Sequence, residues 1–228
     1  MDSYDLTRTR LETYFDGTAN EAWKRLMSDA PVSRIRETVR AGRDAMRAEL
    51  LSHLPQDLSG RRVLDAGCGA GQAAQALAAR GADVVAVDIS PRLLAMAEET
   101  TPPPLARRIA YVAGDMLAPE LGRFDHVVAM DSLIHYALGD AMTALAALAA
   151  RTNGSMLFTV APRTPALAVM HTVGKLFPRS DRAPAIEPVA LRRFDTAVRQ
   201  SLPPGWRLTS RARISRGFYI SQALELAA

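Results

Sequence analysis

The 228-residue chain is 48% hydrophobic and 23% charged, a composition that supports one full core and excludes a disordered or fibrous protein. Its 28 Lys+Arg against 24 Asp+Glu leave a net charge of +4, a slight lean towards anionic partners that falls short of a nucleic-acid-binding charge. A single cysteine, Cys68, excludes an internal disulfide framework; with no apolar run long enough to span a bilayer and acids among the first ten residues, a cytoplasmic location is expected.

Residues 1–55 carry apolar side chains at helical spacing: Leu6 and Tyr14, then Trp23 and Leu26, and after Pro31 the row Ile35, Val39, Met46 and Leu50. A helical arm is expected there. Within it, "YFDGTANEAW" at 14–23 places the aromatic pair Tyr14–Phe15 on a bend, with Thr18 suited to cap a helix starting near Ala19. Further on, Arg36, Arg40, Arg43 and Arg47 fall on one helical stripe, which suits a solvated face, a membrane surface, an acidic partner or a substrate carboxylate.

From Arg61 the pattern changes to βα alternation. "RRVLDAG" reads as a buried strand, "QAAQALAARG" as a helix closed by Gly81, and "ADVVAVDIS" as the next strand. Pro91 opens a helix that "TPPP" ends; "RIAYVAGD" and "FDHVVAMD" are further strands, followed by a helix near 139–150 and the strand "GSMLFTVAP". Such alternation predicts an α/β fold with a doubly wound, mostly parallel sheet. Residues 163–205 break the rhythm and are expected to form an insertion over the site, with one apolar helical piece, "PALAVMHTVGKLF". "GWRLTSRARIS" and "GFYISQALELA" predict an antiparallel hairpin at a sheet edge, joined at Arg216-Gly217. The expected organisation is therefore an arm at 1–55 and a core at 56–228 that contains the 163–205 insertion.

"VLDAGCGAGQ" carries the clearest chemistry. Gly67, Gly69 and Gly71 lie between a predicted strand and a predicted helix, so the backbone can turn tightly and a ligand can approach the helix N-terminus. Asp88 ends the next strand, where a carboxylate can accept from both hydroxyls of a ribose. Nicotinamide dinucleotides use similar architecture, but their fingerprint wants glycine where Gln72 stands; a Tyr-x-x-x-Lys pair is also missing, the only lysines being Lys24 and Lys175.

Asp65 two residues before the first glycine, the acid ending the second strand and "AGDM" ending the third together resemble class I S-adenosylmethionine-dependent methyltransferases. The resemblance implies a cofactor site of Asp65, Gly67, Gly69 and Gly71 near the methionine end, Asp88 at the ribose, and Asp115 and Met116 beside the adenine, with Ile89 and Met130 as further cofactor-binding residues. Transfer from a sulfonium mainly requires alignment, and no metal is called for. The fourth strand runs into Asp131-Ser132-Leu133-Ile134 instead of an Asn/Asp-Pro-Pro-aromatic stretch, which argues against methylation of nucleic acid bases. Cys68, inside the glycine turn, reads as a small packing residue and not as a nucleophile.

"YFDGTANEAW", "SRIRETVRAGR", the glycine turn and "DSLIHY" together are similar to the magnesium-protoporphyrin IX O-methyltransferase family over nearly the whole chain. This resemblance implies methyl transfer to a propionate of magnesium protoporphyrin IX, with the arm closing over the site and Tyr14 and His135 lining it as catalytic residues. A propionate is already an anion at neutral pH and needs orientation more than a strong base. In the insertion, Lys175, Arg179 and Arg182 are candidate partners for propionates. Contact with the upstream magnesium chelatase and peripheral membrane association are further expectations. The rival readings are another small-molecule O-methyltransferase and a non-catalytic porphyrin carrier.

Overall fold

The computed structural model describes residues 2–17, 34–163 and 185–228, with the side chains of 34–36 left aside. Helices α1 (Ser3–Asp16) and α2 (Arg34–Ser52) precede a βα series: β1 (Arg62–Ala66), α3 (Gln72–Ala79), β2 (Asp83–Asp88), α4 (Pro91–Thr100), α5 (Pro103–Ala106), β3 (Ile109–Ala113), β4 (Phe124–Ala129), α6 (Leu138–Ala149) and β5 (Thr152–Val160). Helix α7 (Leu191–Ser201) then leads into β6 (Arg207–Arg216) and β7 (Tyr219–Ala227). Among the described residues no helix is long and apolar enough to cross a membrane.

The strands form one seven-stranded sheet in the order β3-β2-β1-β4-β5-β7-β6. β1 to β5 are parallel, and β7 inserts antiparallel between β5 and β6. Successive residues of a strand point to opposite faces, and the core divides accordingly. Leu64, Val127, Met156 and Phe158 pack with Leu11, Leu145 and Phe194 on one face. Val63, Val128 and Leu157 pack with Met46, Leu50, Leu77 and Tyr219 on the other. Both faces of the central strands are covered, which is why they read as apolar runs instead of alternating.

Tyr14 and Phe15, expected on a bend, lie in the last turn of α1, which runs on to Asp16 and stops at Gly17; the helix expected from Ala19 lies outside the described residues. Two further departures from the sequence expectation have simple causes. The stretch read as an insertion contains α7, whose Phe194 and Val198 are buried, with the Phe194 ring 5.7 Å from that of Phe158. Only those two positions of the helix are buried, while Arg192, Arg193 and Arg199 face outward, so its apolar period is too sparse to read. The apolar piece proposed within 165–177 lies outside the described residues. β6 runs through Arg216, which moves the hairpin turn one residue on, to Gly217-Phe218, with Gly217 at φ 55° in the left-handed region.

Helix α2 docks tightly on this hairpin. A Cβ on Gly42 would stand 2.6 Å from the Tyr219 Cβ, and one on Gly217 would stand 2.8 Å from the Thr38 Oγ1. Glycine at position 42 is therefore what lets the helix backbone reach the strand that carries Tyr219.

Candidate active site

The carboxyl ends of β1, β2, β3 and β4 open onto a cleft of about 460 Å³. β1 gives way to a turn in which Gly67, Gly69 and Gly71 all have positive φ, at 79°, 55° and 80°. Gly67 and Cys68 donate their N–H groups to the Val87 carbonyl, which ties the turn to β2. A Cβ at Gly67 would lie 2.5 Å from the Ser132 Cβ, whereas one at Gly69 would meet nothing within 4 Å. The turn thus presses against the end of β4 at its first glycine and leaves open space above its second.

Asp88, at the end of β2, is 7% exposed and braces this turn. Its Oδ2 accepts from the Gly69 N–H at 2.8 Å and its Oδ1 from the Ser90 N–H at 2.9 Å. Burial pushes the Asp88 carboxyl up, and the two backbone donors pull against that rise. Asp65 is 1% exposed, and burial pushes it further, to about 7, against a backbone hydrogen bond from Ala74.

Helix α1 lies across the cleft and is fastened along its length. The Tyr4 hydroxyl donates to Asp115 Oδ1 at 2.8 Å, and Arg8 donates to Asp115 Oδ2. The Tyr4 ring stacks on that of Tyr136 with centroids 4.8 Å apart. At the two ends, Ser3 donates to Asp140 and Ser90 donates to Asp16, both at 2.6 Å. Tyr4, Leu11, Tyr14 and Phe15 project from this helix into the cleft lining.

At the far end, Leu133–His135 form a short 3-10 turn. His135 places Nδ1 3.1 Å from the Ala185 carbonyl, and its ring lies edge-on to Phe15 with centroids 6.2 Å apart. A carbonyl only accepts, so Nδ1 carries the proton and Nε2 is the basic nitrogen. Burial holds the imidazole below its ordinary pKa; the Arg43 charge works in the same direction, while the Ala185 bond and Asp131 work against it.

Beside His135, Asp131 has φ 56°, the only non-glycine residue described in the left-handed region. Its N–H donates to Thr159 Oγ1 at 2.8 Å, and its carboxylate accepts from Thr159, from Tyr219 at 3.0 Å and from Arg43 at 3.1 Å. These bonds over-determine the strained backbone.

A side pocket of about 150 Å³ adjoins the glycine turn and is lined by Asp65, Gly67, Cys68 and Gln72 on one side and by Arg40, Arg43, Asp44 and Arg47 of α2 on the other, Arg47 being paired with Asp44 at 2.7 Å. Arg40, Arg43 and Arg47 of the arginine stripe therefore face inward, while the Arg36 side chain lies outside the described ones. Of the buried side-chain oxygens, Asp65 Oδ2, Ser132 Oγ and Ser221 Oγ have no hydrogen-bond partner among the described residues. Ser132 and Ser221 line the cleft and Asp65 lines the side pocket. Buried polar atoms without partners are costly, and their gathering here is the mark of a polar ligand. A carboxylate opposite arginines suits the ammonium and carboxylate of an amino-acid tail, and S-adenosylmethionine carries such a tail beside a nucleoside.

Of the residues expected from sequence, Tyr14, Gly67, Gly69, Asp88, Ile89, Asp115, Met116, Met130 and His135 line the cleft. Asp65 reaches it only through the side pocket. Gly71 lines neither space: a Cβ there would stand 2.7 Å from the Tyr111 hydroxyl and 2.9 Å from Ala97, so its role is close packing. Lys175, Arg179 and Arg182 lie outside the described residues. Sequence reasoning missed Tyr4, Arg8, Tyr219 and Ser221; the i, i+4 spacing of Tyr4 and Arg8 was the available signal for the first two.

The glycine turn, the acid ending β2 and the seven-stranded order with its antiparallel β7 define a class I S-adenosylmethionine-dependent methyltransferase. A profile described as "Magnesium-protoporphyrin IX methyltransferase C-terminus" matches residues 129–228, and one described as "Methyltransferase domain" matches residues 63–153. Magnesium-protoporphyrin O-methyltransferase of Rhodobacter capsulatus is 50% identical over 223 residues, covering 97% of each chain. The Synechocystis protein of the same name is 30% identical over 96% of this chain and 95% of its own. A crystal structure of the Synechocystis magnesium protoporphyrin IX methyltransferase with bound SAH superposes with a TM-score of 0.80 at 28% identity, covering 96% of this chain and 98% of that one. The chain belongs to the magnesium-protoporphyrin O-methyltransferase family.

Proposed function

We propose that the protein transfers the methyl group of S-adenosylmethionine to a propionate carboxylate of magnesium protoporphyrin IX, giving the monomethyl ester in the route to chlorophyll and bacteriochlorophyll. The observation that carries this reading is the character of the cleft beyond the cofactor end. Val39, Ile134, Ala161, Ile186, Phe218 and Ile220 offer an apolar lining for a flat macrocycle, and Asp131, Ser132, His135, Tyr219 and Ser221 gather polar chemistry where a carboxylate would enter.

In this reading Asp88 receives the ribose hydroxyls, Gly67 and Gly69 let the cofactor approach the backbone, and Ile89 and Met116 flank the adenine. Asp65 takes the ammonium of the cofactor's tail, while Arg40 and Arg47 take its carboxylate. The bound sulfonium supplies an activated methyl group. Tyr14 and Phe15 cover the reacting centre and exclude water, which strengthens the attraction between a carboxylate and a sulfonium. With Nδ1 fixed on Ala185, the His135 Nε2 accepts the proton of any acid that arrives uncharged and so holds the acceptor as a carboxylate.

Because Arg40, Arg43 and Arg47 line the side pocket, this reading gives them to the bound ligands and not to a membrane face. Peripheral membrane or chelatase contact is carried as part of this proposal on the exposed Arg207, Arg211 and Arg213 of the edge strand β6, and a cytoplasmic location on the single cysteine, which fits a reducing compartment. The test of the activity is direct: incubation with labelled S-adenosylmethionine and magnesium protoporphyrin IX, followed by chromatography. A labelled monomethyl ester is expected. Binding of the porphyrin without ester formation would instead identify a carrier.

A further inference from the structure

Arg43 is the only lysine or arginine that lines the main cleft among the described residues. It stands where the cleft meets the side pocket, and its three flanking constraints are unusual for a half-buried arginine. The helix that carries it can approach β7 only because residue 42 is glycine. Asp131, in a left-handed backbone conformation, pairs with it at 3.1 Å. Tyr219 donates to the same carboxylate, so the acid is held on two sides. The same cleft is lined by Ser132 and Ser221, whose hydroxyls are buried and have no hydrogen-bond partner by distance and angle among the described residues, Ser221 lying beside the Tyr219 hydroxyl. Asp131, the partner of Arg43, stands four residues before His135, and all three line the same cleft.

A surface ion pair needs none of this support. We infer that Arg43, positioned by Asp131 and Tyr219, is the residue that binds a carboxylate of the acceptor, with Ser221 and Ser132 supplying hydroxyl donors. The inference rests on the porphyrin reading above and names its carboxylate-recognition site. Pairing with Asp131 leaves the guanidinium oriented but partly neutralised, so it can hold a carboxylate without strongly quenching its nucleophilicity. Magnesium protoporphyrin IX carries two propionates, and the site serves either the one that reacts or the one that remains.

The test compares full-length wild type with Arg43→Gln, Arg43→Lys and Asp131→Asn. Steady-state kinetics with magnesium protoporphyrin IX, calorimetry with S-adenosylhomocysteine and thermal melts are read together. Arg43→Gln is expected to raise the porphyrin KM about tenfold to a hundredfold, with the S-adenosylhomocysteine affinity and the melting temperature little changed. A parallel fall in kcat assigns the reacting propionate; an unchanged kcat assigns the spectator. Arg43→Lys should restore part of the loss, and Asp131→Asn, which keeps an acceptor for Tyr219 but loses the charge opposite Arg43, should raise KM in the same direction. An unchanged porphyrin KM in Arg43→Gln overturns the inference, as does a loss of S-adenosylhomocysteine affinity without a porphyrin effect, which would move Arg43 to the cofactor's tail. A wild type that makes no ester overturns the functional reading itself, a result these variants do not mimic.

Discussion

The Tyr4 hydroxyl and the Asp115 carboxylate, 111 residues apart in sequence, meet at 2.8 Å and fasten α1 to the loop after β3. Arg8 reaches the same carboxylate one helical turn later. The helix thus covers the end of the cleft where the cofactor's adenine is proposed to sit. Tyr4→Phe keeps the ring stacked on Tyr136 but deletes the donor, so S-adenosylhomocysteine is expected to leave several-fold faster in stopped-flow displacement; adding Arg8→Ala should deepen the effect. Unaltered dissociation in the double variant would show that the clamp does not retain the cofactor.

Asp65 links cofactor binding to pH. In the free protein burial raises its pKa to about 7, whereas the partner of its Oδ2 is proposed to be a cationic ammonium. A cation favours the ionised carboxylate, so binding releases a proton whenever Asp65 starts protonated. Affinity for S-adenosylhomocysteine should therefore rise with pH from about 5.5 to about 7 and level off above. For the stability of the free protein the opposite trend is expected from this group. A folded-state pKa above the unfolded value means that stability is fully present below the unfolded pKa near 4 and declines as pH rises towards 7. Asp65→Asn should flatten both profiles, as measured by calorimetry and by melts across that range.

His135 and Tyr14 are predicted to act on turnover more than on cofactor affinity. Because burial lowers the imidazole pKa, the ring is neutral at pH 7, and kcat should fall only as pH drops through that lowered value. His135→Ala should reduce kcat by an order of magnitude or more, roughly 10- to 1000-fold, and remove that acidic limb. Tyr14→Phe retains the ring and isolates the hydroxyl: a clear drop in kcat with an unchanged melt assigns it to the reaction, and normal kinetics reduce Tyr14 to covering the site.

Gly42 offers a test of packing. Gly42→Ala pushes a methyl group to 2.6 Å from the Tyr219 side chain, so α2 must shift; a cost of about 1–3 kcal/mol is expected, together with a raised porphyrin KM as Arg43 moves. Gly139, inside α6, meets nothing within 4 Å and has no unusual φ, so Gly139→Ala should stabilise by about 0.4–1 kcal/mol. Urea titrations of the two variants should move in opposite directions.

The parallel strands and the glycine turn were legible because their information is local. An apolar run, a glycine triplet and a terminal acid all fall within a few residues, and the residues expected at a cofactor, apart from Gly71, line the cleft or its side pocket. The Arg43–Asp131–Tyr219 cluster was not legible, because it joins three elements that only the sheet order brings together. The arginine stripe was visible as a period, but a period does not say which way a helix is turned; that is decided by Gly42 and the hairpin against which it packs. Asp115 was read as an adenine contact, while its bonds to Tyr4 and Arg8 depend on where α1 comes to rest, which no spacing encodes.

The strand order also sets a timetable for synthesis. β6 emerges from the ribosome before β7, yet its one neighbour in the sheet is β7, and β7 is also what joins it to β5. Until β7 has emerged, the nascent chain can assemble the five parallel strands and the glycine turn, but β6 has an unpaired edge and α2 lacks the platform formed by Tyr219 and Ala223. Asp131 meanwhile waits for Tyr219. The glycine turn and the end of β2 can therefore come together before β7 is made, whereas α2, with the arginines that line the side pocket, and the Asp131–Tyr219 contact are completed only by the last strand of the chain.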